Sequence, residues 1–425
     1  MRQPQRLSPE AARANESAVG GANVVSSDVP SRDYAYYKRA FAGRRMPFAY
    51  LDLDLLDANI RQVVARAGDK RIRVASKSVR CVTALKRILS SDDRFIGVMC
   101  LTGREAIYLA QQGITDVLIG YPCVAEAEIA DVARATREGA QITLMVDDLA
   151  QIDRIESVAR EVGTQLPLCL DVDLSLDVPG LHFGVWRSPV RSAAQARPLV
   201  ERILGSPHVT LAGVMGYEAQ IAGVGDNYPG QRVKNGIVWA LKRRSVGIAA
   251  ERRAAVVELI RSLGDELRFV NGGGSGSMGT TRAEAVVTEL TVGSAFYGPA
   301  LFDNYREFRY QPAAGFAVEI VRRPAPRVYT CLGGGYVASG APGADRLPQP
   351  YLPPGARLDS LEGAGETQTP VHYAGDVPLA PGDPIFFRHS KAGELCERFT
   401  HLALVSQGAI VGEAPTYRGD GQCFL

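Results

Sequence analysis

Lysine is scarce in this sequence. The chain has 425 residues and 48 basic residues, of which only seven are lysines, at positions 38, 70, 77, 86, 234, 242 and 391. Arginine remains protonated at neutral pH, so it cannot supply the neutral amine that attacks a carbonyl carbon. Any mechanism that depends on a lysine amine therefore has seven candidate residues.

Other features are also missing, and each absence excludes a class of protein. The seven cysteines contain no Cys-x-x-Cys pair, and they are too sparse in a long chain for a disulfide scaffold. No apolar run approaches the roughly 18–20 residues of a membrane span, and the first 33 residues lack the apolar core of a signal peptide. A formal net charge of +2 provides no basic surface for nucleic acid. We therefore predict a cytoplasmic protein with no nucleic-acid or membrane partner.

Short apolar segments alternate with amphipathic helical periods between residues 47 and 300. The predicted strands are 47–54, 72–76, 95–101, 117–120, 142–146, 168–172, 209–215, 267–270 and 289–297. About eight β–α units indicate an α/β protein with a (β/α)8 TIM-type barrel, and a doubly wound open sheet is the alternative. After residue 305, β-type runs and Pro/Gly-rich loops predict a β-rich C-terminal domain. The predicted division is a flexible N-terminal segment and lead-in helix (1–45), a barrel (46–305) and a β-rich domain (306–425).

Lys77 is the first candidate for a functional residue. It follows the second predicted strand, at the carboxyl end of the barrel strands, where barrel active sites are built. A lysine held there and partly desolvated has an amine that can attack a carbonyl group. The alternative is a strand-end lysine that extends into solvent.

The second candidate is a glycine-rich loop at 271–280, directly after the predicted strand 267–270. The backbone N–H groups of Gly273, Gly274 and Gly276 and the hydroxyl of Ser275 can bind an anion such as phosphate. The loop lacks the Gly-Lys-Ser/Thr of a P-loop, and a flexible turn is the alternative. A reactive lysine and a phosphate site in one barrel are what pyridoxal 5'-phosphate requires, although a phosphosugar aldolase would need the same pair.

These motifs resemble the fold-type III pyridoxal-phosphate enzymes, which combine an alanine-racemase-like barrel with a β domain. The resemblance covers nearly all of residues 45–425 and is strongest to the D-threonine aldolase and D-serine dehydratase branch, and to amino acid deaminase/aldolase proteins. The lysine segment of that branch reads roughly Arg-Pro-His-Ala-Lys-Thr-His-Lys, and the segment here is Arg73-Val-Ala-Ser-Lys77-Ser-Val-Arg80. The resemblance implies that Lys77 forms the aldimine with the cofactor and that Arg73 belongs to the cofactor site. Ala75 and Val79 replace two histidines, so no proton transfer is assigned to those positions.

Two further segments carry the resemblance. The loop Gly272-Gly-Gly-Ser-Gly276 is similar to the Gly-Gly-Gly-Thr-Gly of the branch. The segment at 293–298 resembles the Gly-Ile-Ala-Leu-Tyr-Gly of alanine racemases, which implies that Tyr297 helps to hold the phosphate. Gly216-Tyr217-Glu218 resembles the Tyr-Asp/Glu-Gly segment of the branch, which places Tyr217 beside the cofactor. The alternative for Tyr217 is a half-buried tyrosine at a strand end.

The segment 387–397 departs from the branch. The resemblance implies a metal pair here, His-x-Cys or His-x-Asp, next to the substrate hydroxyl. This sequence keeps His389 but has Lys391 where the second ligand belongs. His389 with Glu394 or Cys396 is the candidate metal set, a structural histidine is the alternative, and the ammonium of Lys391 could itself take the place of the cation.

The resulting functional hypothesis is a pyridoxal-phosphate-dependent lyase, which the resemblance implies to be a homodimer. Its substrates would be β-hydroxy-D-amino acids, cleaved by retro-aldol reaction with a base near His389, or dehydrated and deaminated after Lys77 removes the Cα proton. An amino acid racemase or decarboxylase is the alternative within the class, with Tyr329, Tyr336 or Tyr373 as a second base. A non-catalytic pyridoxal-phosphate-binding protein is the alternative from another class.

Overall fold

The computed structural model describes residues 32–425. The predicted flexible segment lies largely outside the described residues, and the predicted lead-in helix is α1. No helix within residues 32–425 is both long enough and apolar enough to cross a membrane.

Strands and helices are numbered separately in chain order. The strands are β1 (Phe48–Asp52), β2 (Arg71–Ala75), β3 (Phe95–Cys100), β4 (Val117–Pro122), β5 (Ile142–Val146), β6 (Leu166–Asp171), β7 (Leu176–Val178), β8 (Leu181–Phe183), β9 (Val209–Gly216), β10 (Phe269–Gly272), β11 (Glu289–Val292), β12 (Ala314–Ala325), β13 (Val328–Leu332), β14 (Gln349–Leu352), β15 (Arg357–Leu358), β16 (Gln368–His372), β17 (Pro384–Arg388), β18 (His401–Ser406) and β19 (Ala409–Pro415). The helices are α1 (Tyr34–Ala40), α2 (Leu53–Ala67), α3 (Val82–Leu89), α4 (Gly103–Gln111), α5 (Glu126–Arg137), α6 (Leu149–Val162), α7 (Ala193–Leu204), α8 (Ala219–Ala222), α9 (Arg232–Ser262), α10 (Met278–Thr281), α11 (Ser294–Tyr297) and α12 (Glu394–Arg398).

Eight parallel strands close into a barrel in the order β10-β11-β2-β3-β4-β5-β6-β9, which confirms the predicted fold class. Strand β5 illustrates the local cause, because all five of its residues are buried, as in a strand that is covered on both faces. Helix α6 is capped at its start by Asp148, whose carboxylate accepts the N–H of Ala150, and at its end by Gly163 in the left-handed conformation. Because the strands are parallel, polar residues at their carboxyl ends lie close together at one end of the barrel, which we call the mouth.

A nine-stranded sheet forms the β-rich region. Its main path is β15-β16-β13-β12-β1-β18-β19, and β17 joins β12 to β14. Strand β1 corrects a prediction, because the sequence pattern had placed residues 47–54 in the barrel. β1 instead pairs antiparallel with β12 and parallel with β18. Lys77 consequently follows the first strand of the barrel, β2, and not the second.

Candidate active site at the mouth of the barrel

Lys77 lies in a short 3-10 turn, Ser76–Ser78, at the carboxyl end of β2. Its side chain is exposed, while the neighbouring Ser76 and Ser78 are buried. The Nζ atom donates a hydrogen bond to Oη of Tyr121, at the end of β4, over 3.3 Å. A rigid strand end therefore presents the amine at the open end of the barrel.

Arg187 connects Lys77 and Tyr121 to the opposite side of the barrel mouth. Its guanidinium lies 4.8 Å from the ring centroid of Tyr121 and 5.9 Å from that of Tyr217. Its Nε atom donates to Oδ2 of Asp171, at the end of β6, over 2.7 Å. Burial raises the pKa of Asp171 to about 6, although Arg187 opposes this increase. Arg187 is thus held between two tyrosine rings and a carboxylate.

The glycine-rich loop contacts Tyr217 and so extends the series of contacts that runs from Lys77 through Tyr121 and Arg187. A Cβ atom added to Gly274 would lie 3.3 Å from Cε2 of Tyr217 and 2.7 Å from Cβ of Ala222, so only glycine fits here. The Oγ of Ser275 accepts the N–H of Ala295 over 3.0 Å, which joins the loop to α11.

The turn between β11 and α11 closes the ring. A Cβ added to Gly293 would lie 2.6 Å from Oγ of Ser78, the residue after Lys77. Lys77, Tyr121, Arg187, Tyr217, the glycine loop and this turn therefore surround one space. The structure brings together Lys77, Tyr217 and the loop 273–276 as the sequence predicts.

A buried ionic network of Glu218, Arg253 and Glu284 holds the backbone of the glycine loop. The N–H of Gly273 donates to both carboxylate oxygens of Glu218, at 3.1 and 3.2 Å. Glu218 in turn binds Nη2 of Arg253 over 3.2 Å, and Nη1 of Arg253 pairs with Glu284. Arg253 and Glu218 are almost completely inaccessible to solvent. The position of the loop is therefore fixed by charge-assisted hydrogen bonds.

Arg73 and Tyr297 donate their hydrogen bonds to protein acceptors. The guanidinium of Arg73 is fully buried within the barrel, where Nε and Nη2 donate to Glu289 and Nη1 to Asp116. The hydroxyl of Tyr297 is buried too and donates to the carbonyl oxygen of Val79 over 3.0 Å. Both sets of donors are occupied by protein acceptors in this structure, and the assignment of these two residues to the cofactor site stays a prediction.

The candidate metal set does not form a metal site. His389 is only 3% exposed and packs edge-on against the ring of Tyr297. Burial, with a contribution from Arg388, lowers the pKa of His389 to about 3, so the imidazole is neutral. Within residues 32–425, no group of three or more His, Cys, Asp or Glu side chains is arranged to hold a metal ion.

The two proposed co-ligands are engaged elsewhere. The carboxylate of Glu394 accepts the N–H of Ser339 over 3.1 Å, and the thiol of Cys396 is directed at the carbonyl oxygen of Val79 over 3.3 Å. Burial raises the pKa of Cys396, which disfavours the thiolate that binds metals. The residues present therefore do not fit a bound divalent ion at this position.

Sequence reasoning missed Tyr121, Asp171 and Arg187. Tyr121 and Asp171 lie at carboxyl ends of barrel strands, and that position alone could have identified them. Arg187 lies in the irregular segment between β8 and α7, which carries no motif, so no sequence signal indicated it.

Tyr121 provides a test of this geometry. Burial raises its pKa, but the charges of Lys77 and Arg187 outweigh burial, so the pKa lies below its ordinary value of about 10. A lowered pKa means that tyrosinate is favoured in the folded state, so ionisation stabilises the fold as pH rises through the range between the lowered and the ordinary pKa. In cofactor-free protein, tyrosine ionisation is followed by ultraviolet absorbance, and the part of the titration that disappears in Tyr121→Phe belongs to Tyr121. We expect the midpoint of that part to lie at a lower pH than the midpoint of an ordinary tyrosine.

The substitution Lys77→Met should raise that midpoint, since it removes one of the two charges. The control Lys86→Met, on the exposed side of α3, should leave the midpoint unchanged. An unchanged midpoint in Lys77→Met would show that the amine does not face Tyr121.

Comparison with known proteins identifies a family, similar sequences and similar folds. The family model described as alanine racemase, N-terminal domain, matches residues 51–300. The 3-hydroxy-D-aspartate aldolase of Paracoccus denitrificans (strain Pd 1222) is 27% identical over 250 residues, which are 58% of this chain and 59% of that protein. The chain thus matches less than two thirds of the length of this curated relative.

Two solved structures share the fold over most of the chain. The D-threonine aldolase of Filomicrobium marinum superposes with a TM-score of 0.75 at 20% identity, covering 88% of this chain and 95% of that one. The D-threo-3-hydroxyaspartate dehydratase of Delftia sp. HT23 gives a TM-score of 0.67 at 20% identity, covering 88% and 98%. With a family model that matches more than half of its residues and a barrel mouth built around Lys77, the chain belongs to the alanine racemase N-terminal domain family.

Proposed function

We propose that this protein is a pyridoxal-phosphate-dependent lyase that acts on β-hydroxy-D-amino acids. The observation that supports it best is the closed ring of contacts at the barrel mouth, which sets the exposed amine of Lys77 beside the glycine loop and the ring of Tyr217. The names of the similar proteins, two aldolases and a dehydratase of 3-hydroxy or threonine-type D-amino acids, support the substrate class. We further propose that it acts as a homodimer.

The glycine loop fits a phosphate group. The Oγ of Ser277 is buried without a protein hydrogen-bond partner, and it lies next to the space of Gly274. Within the described residues, no protein acceptor faces the backbone N–H groups of Gly274, Ser275 or Gly276. These groups would hold the phosphate, since successive N–H groups and a hydroxyl form a suitable anion site.

The remaining residues have separate tasks. Lys77 would attach the cofactor through its amine and, once released, would hold the proton removed from the substrate Cα. Tyr217, half-buried against Gly274, would restrict the position of the bound ring. Arg187, between the two tyrosines, would orient the bound substrate or cofactor. When bound, pyridoxal phosphate supplies an acceptor for the electron pair left on Cα.

The test begins with binding and continues with products. Purified protein is titrated with pyridoxal phosphate, reduced with borohydride and analysed by peptide mass spectrometry, and we expect one stable adduct on Lys77. The loaded protein is then offered D-serine, D-threonine, 3-hydroxy-D-aspartate and their L forms. We expect turnover of D forms only, to glycine and an aldehyde or to a keto acid and ammonia.

The other functions give different outcomes. Loss of optical rotation without product release would identify a racemase, and carbon dioxide release would identify a decarboxylase. An adduct without turnover of any amino acid would identify a cofactor-binding protein. Absence of a reducible adduct would overturn the proposal itself.

A further inference from the structure

Lys391 lies at the same mouth as Lys77, although more than 300 residues separate the two in sequence. It follows β17 in a loop that ends at Gly393, which has a φ of +86°. A Cβ atom on Gly393 would collide with the carbonyl oxygen of Lys77. The loop that carries Lys391 is therefore seated directly on the backbone of Lys77.

Lys391 is half-buried and has no ion-pair partner among the described residues. Its Nζ atom donates one hydrogen bond, to Oγ of Ser339 over 3.2 Å. Lys242, also buried, shows the usual solution for such a lysine, because it pairs with Asp226 over 3.3 Å. An ammonium group without a carboxylate partner retains donors for a ligand.

The metal pair that the sequence resemblance implies does not account for this position. His389 has no second ligand beside it in this set, because Cys396 is held as a thiol and Glu394 accepts the backbone N–H of Ser339. The residue two positions after His389 is the lysine itself. The place of the second ligand is thus taken by an amine of the chain, in the loop that is seated on the backbone of Lys77.

We propose that Lys391 is the general acid that protonates the departing hydroxyl of the substrate, so that this enzyme is a metal-independent dehydratase. The inference rests on the proposed function and selects one of its two reactions. Lys77 takes the proton from Cα, and the C–H electron pair forms the Cα–Cβ double bond. The Cβ–O bond breaks with its electron pair on oxygen, Lys391 gives that oxygen a proton, and water leaves.

The remaining steps convert the enamine to the products and return the two lysines to their starting protonation states. The enamine tautomerises to an imine as Cβ gains a proton, and water hydrolyses the imine to a keto acid and ammonia. Lys391 then regains a proton from solvent, and Lys77 releases to solvent the proton that it took from Cα. Retro-aldol cleavage would instead require a base that accepts the hydroxyl proton, so a proton donor at this position favours elimination.

The test compares leaving groups that differ in their need for a proton. The loaded wild-type enzyme should convert D-serine to pyruvate and ammonia, and D-β-chloroalanine to the same keto acid with release of chloride. In Lys391→Met, turnover of D-serine should fall about 100-fold, within the range for a lost general acid. Turnover of D-β-chloroalanine should change less than about threefold, because chloride leaves without a proton. Lys86→Met is the matched control and should match wild type with both substrates.

Two further measurements complete the test. D-Alanine carries no group on Cβ that can leave, so the half-saturation of its spectral change should be the same in Lys391→Met as in wild type. After chelation and dialysis, with metal content measured, D-serine turnover should be retained. The proposal is overturned by an equal loss with both substrates, by unchanged D-serine turnover in the variant, or by turnover that requires added metal.

The two proposals fail in distinguishable ways. Absence of a borohydride-reducible adduct on Lys77 would remove the proposed function and this inference together. An intact adduct with glycine and aldehyde as products would overturn the inference alone.

Discussion

Replacing Lys77 with alanine is expected to lower kcat by about a thousandfold and to abolish the borohydride-reducible adduct. The substitution removes both the amine that attaches the cofactor and the group that accepts the Cα proton, and losing acid–base catalysis alone accounts for about 10²–10⁴ in rate. Because the side chain is exposed and bonds only to Tyr121, the fold should be retained. Steady-state kinetics and mass spectrometry of the reduced protein measure the two effects.

Lys86→Ala is the control for this experiment, since Lys86 is exposed on the outer face of α3. Its adduct and kcat should equal those of wild type. The reduced Lys77→Ala protein should also be mapped for an adduct on Lys391, the other amine at the mouth. An undiminished adduct there would show that Lys391 is the attachment point and would contradict the assignment.

Replacing Arg253 with methionine is expected to lower the free energy of unfolding by about 3–5 kcal/mol, the range for breaking a buried ion pair. Arg253 is fully buried and pairs with Glu218 and Glu284, so its loss leaves two carboxylates in the interior without their cation. Glu218 also holds the N–H of Gly273, so the affinity for pyridoxal phosphate should fall as well. Denaturant unfolding and cofactor titration measure these two effects.

Arg244→Met, on the exposed face of α9, is the matched control. Its unfolding free energy should remain within about 0.5 kcal/mol of wild type, as for most surface substitutions. A loss below 1 kcal/mol in Arg253→Met would show that the network does not carry the stability assigned to it.

The barrel was predictable from sequence because its signals are local. Continuous apolar strands such as β5 and capped amphipathic helices such as α6 recur at regular intervals, and parallel strands require such crossovers. Strand β1 was misplaced for the same reason. It is a buried five-residue strand followed by a helix, which is the local pattern of a β–α unit, and its partners β12 and β18 are chosen by tertiary contacts.

The site was predictable where a motif fixes a backbone position, as for Lys77 and Gly274. It was not predictable where the environment decides what a side chain binds. Arg73 occupies the expected register, but Glu289 and Asp116 take its donors, and these acids are distant in sequence. Arg187 reaches the mouth from an irregular segment, so only the folded chain reveals it.

The location of β1 has a consequence for the order of assembly. This strand leaves the ribosome before any barrel strand, yet its neighbours β12 and β18 are synthesised after the entire barrel. Until β12 and β18 are made, β1 lacks its strand partners, and an unpaired apolar strand is the kind of segment that aggregates or recruits chaperones. Once both neighbours have formed, strands that precede and follow the barrel in sequence are joined in one sheet, and the barrel is an insertion between β1 and β12.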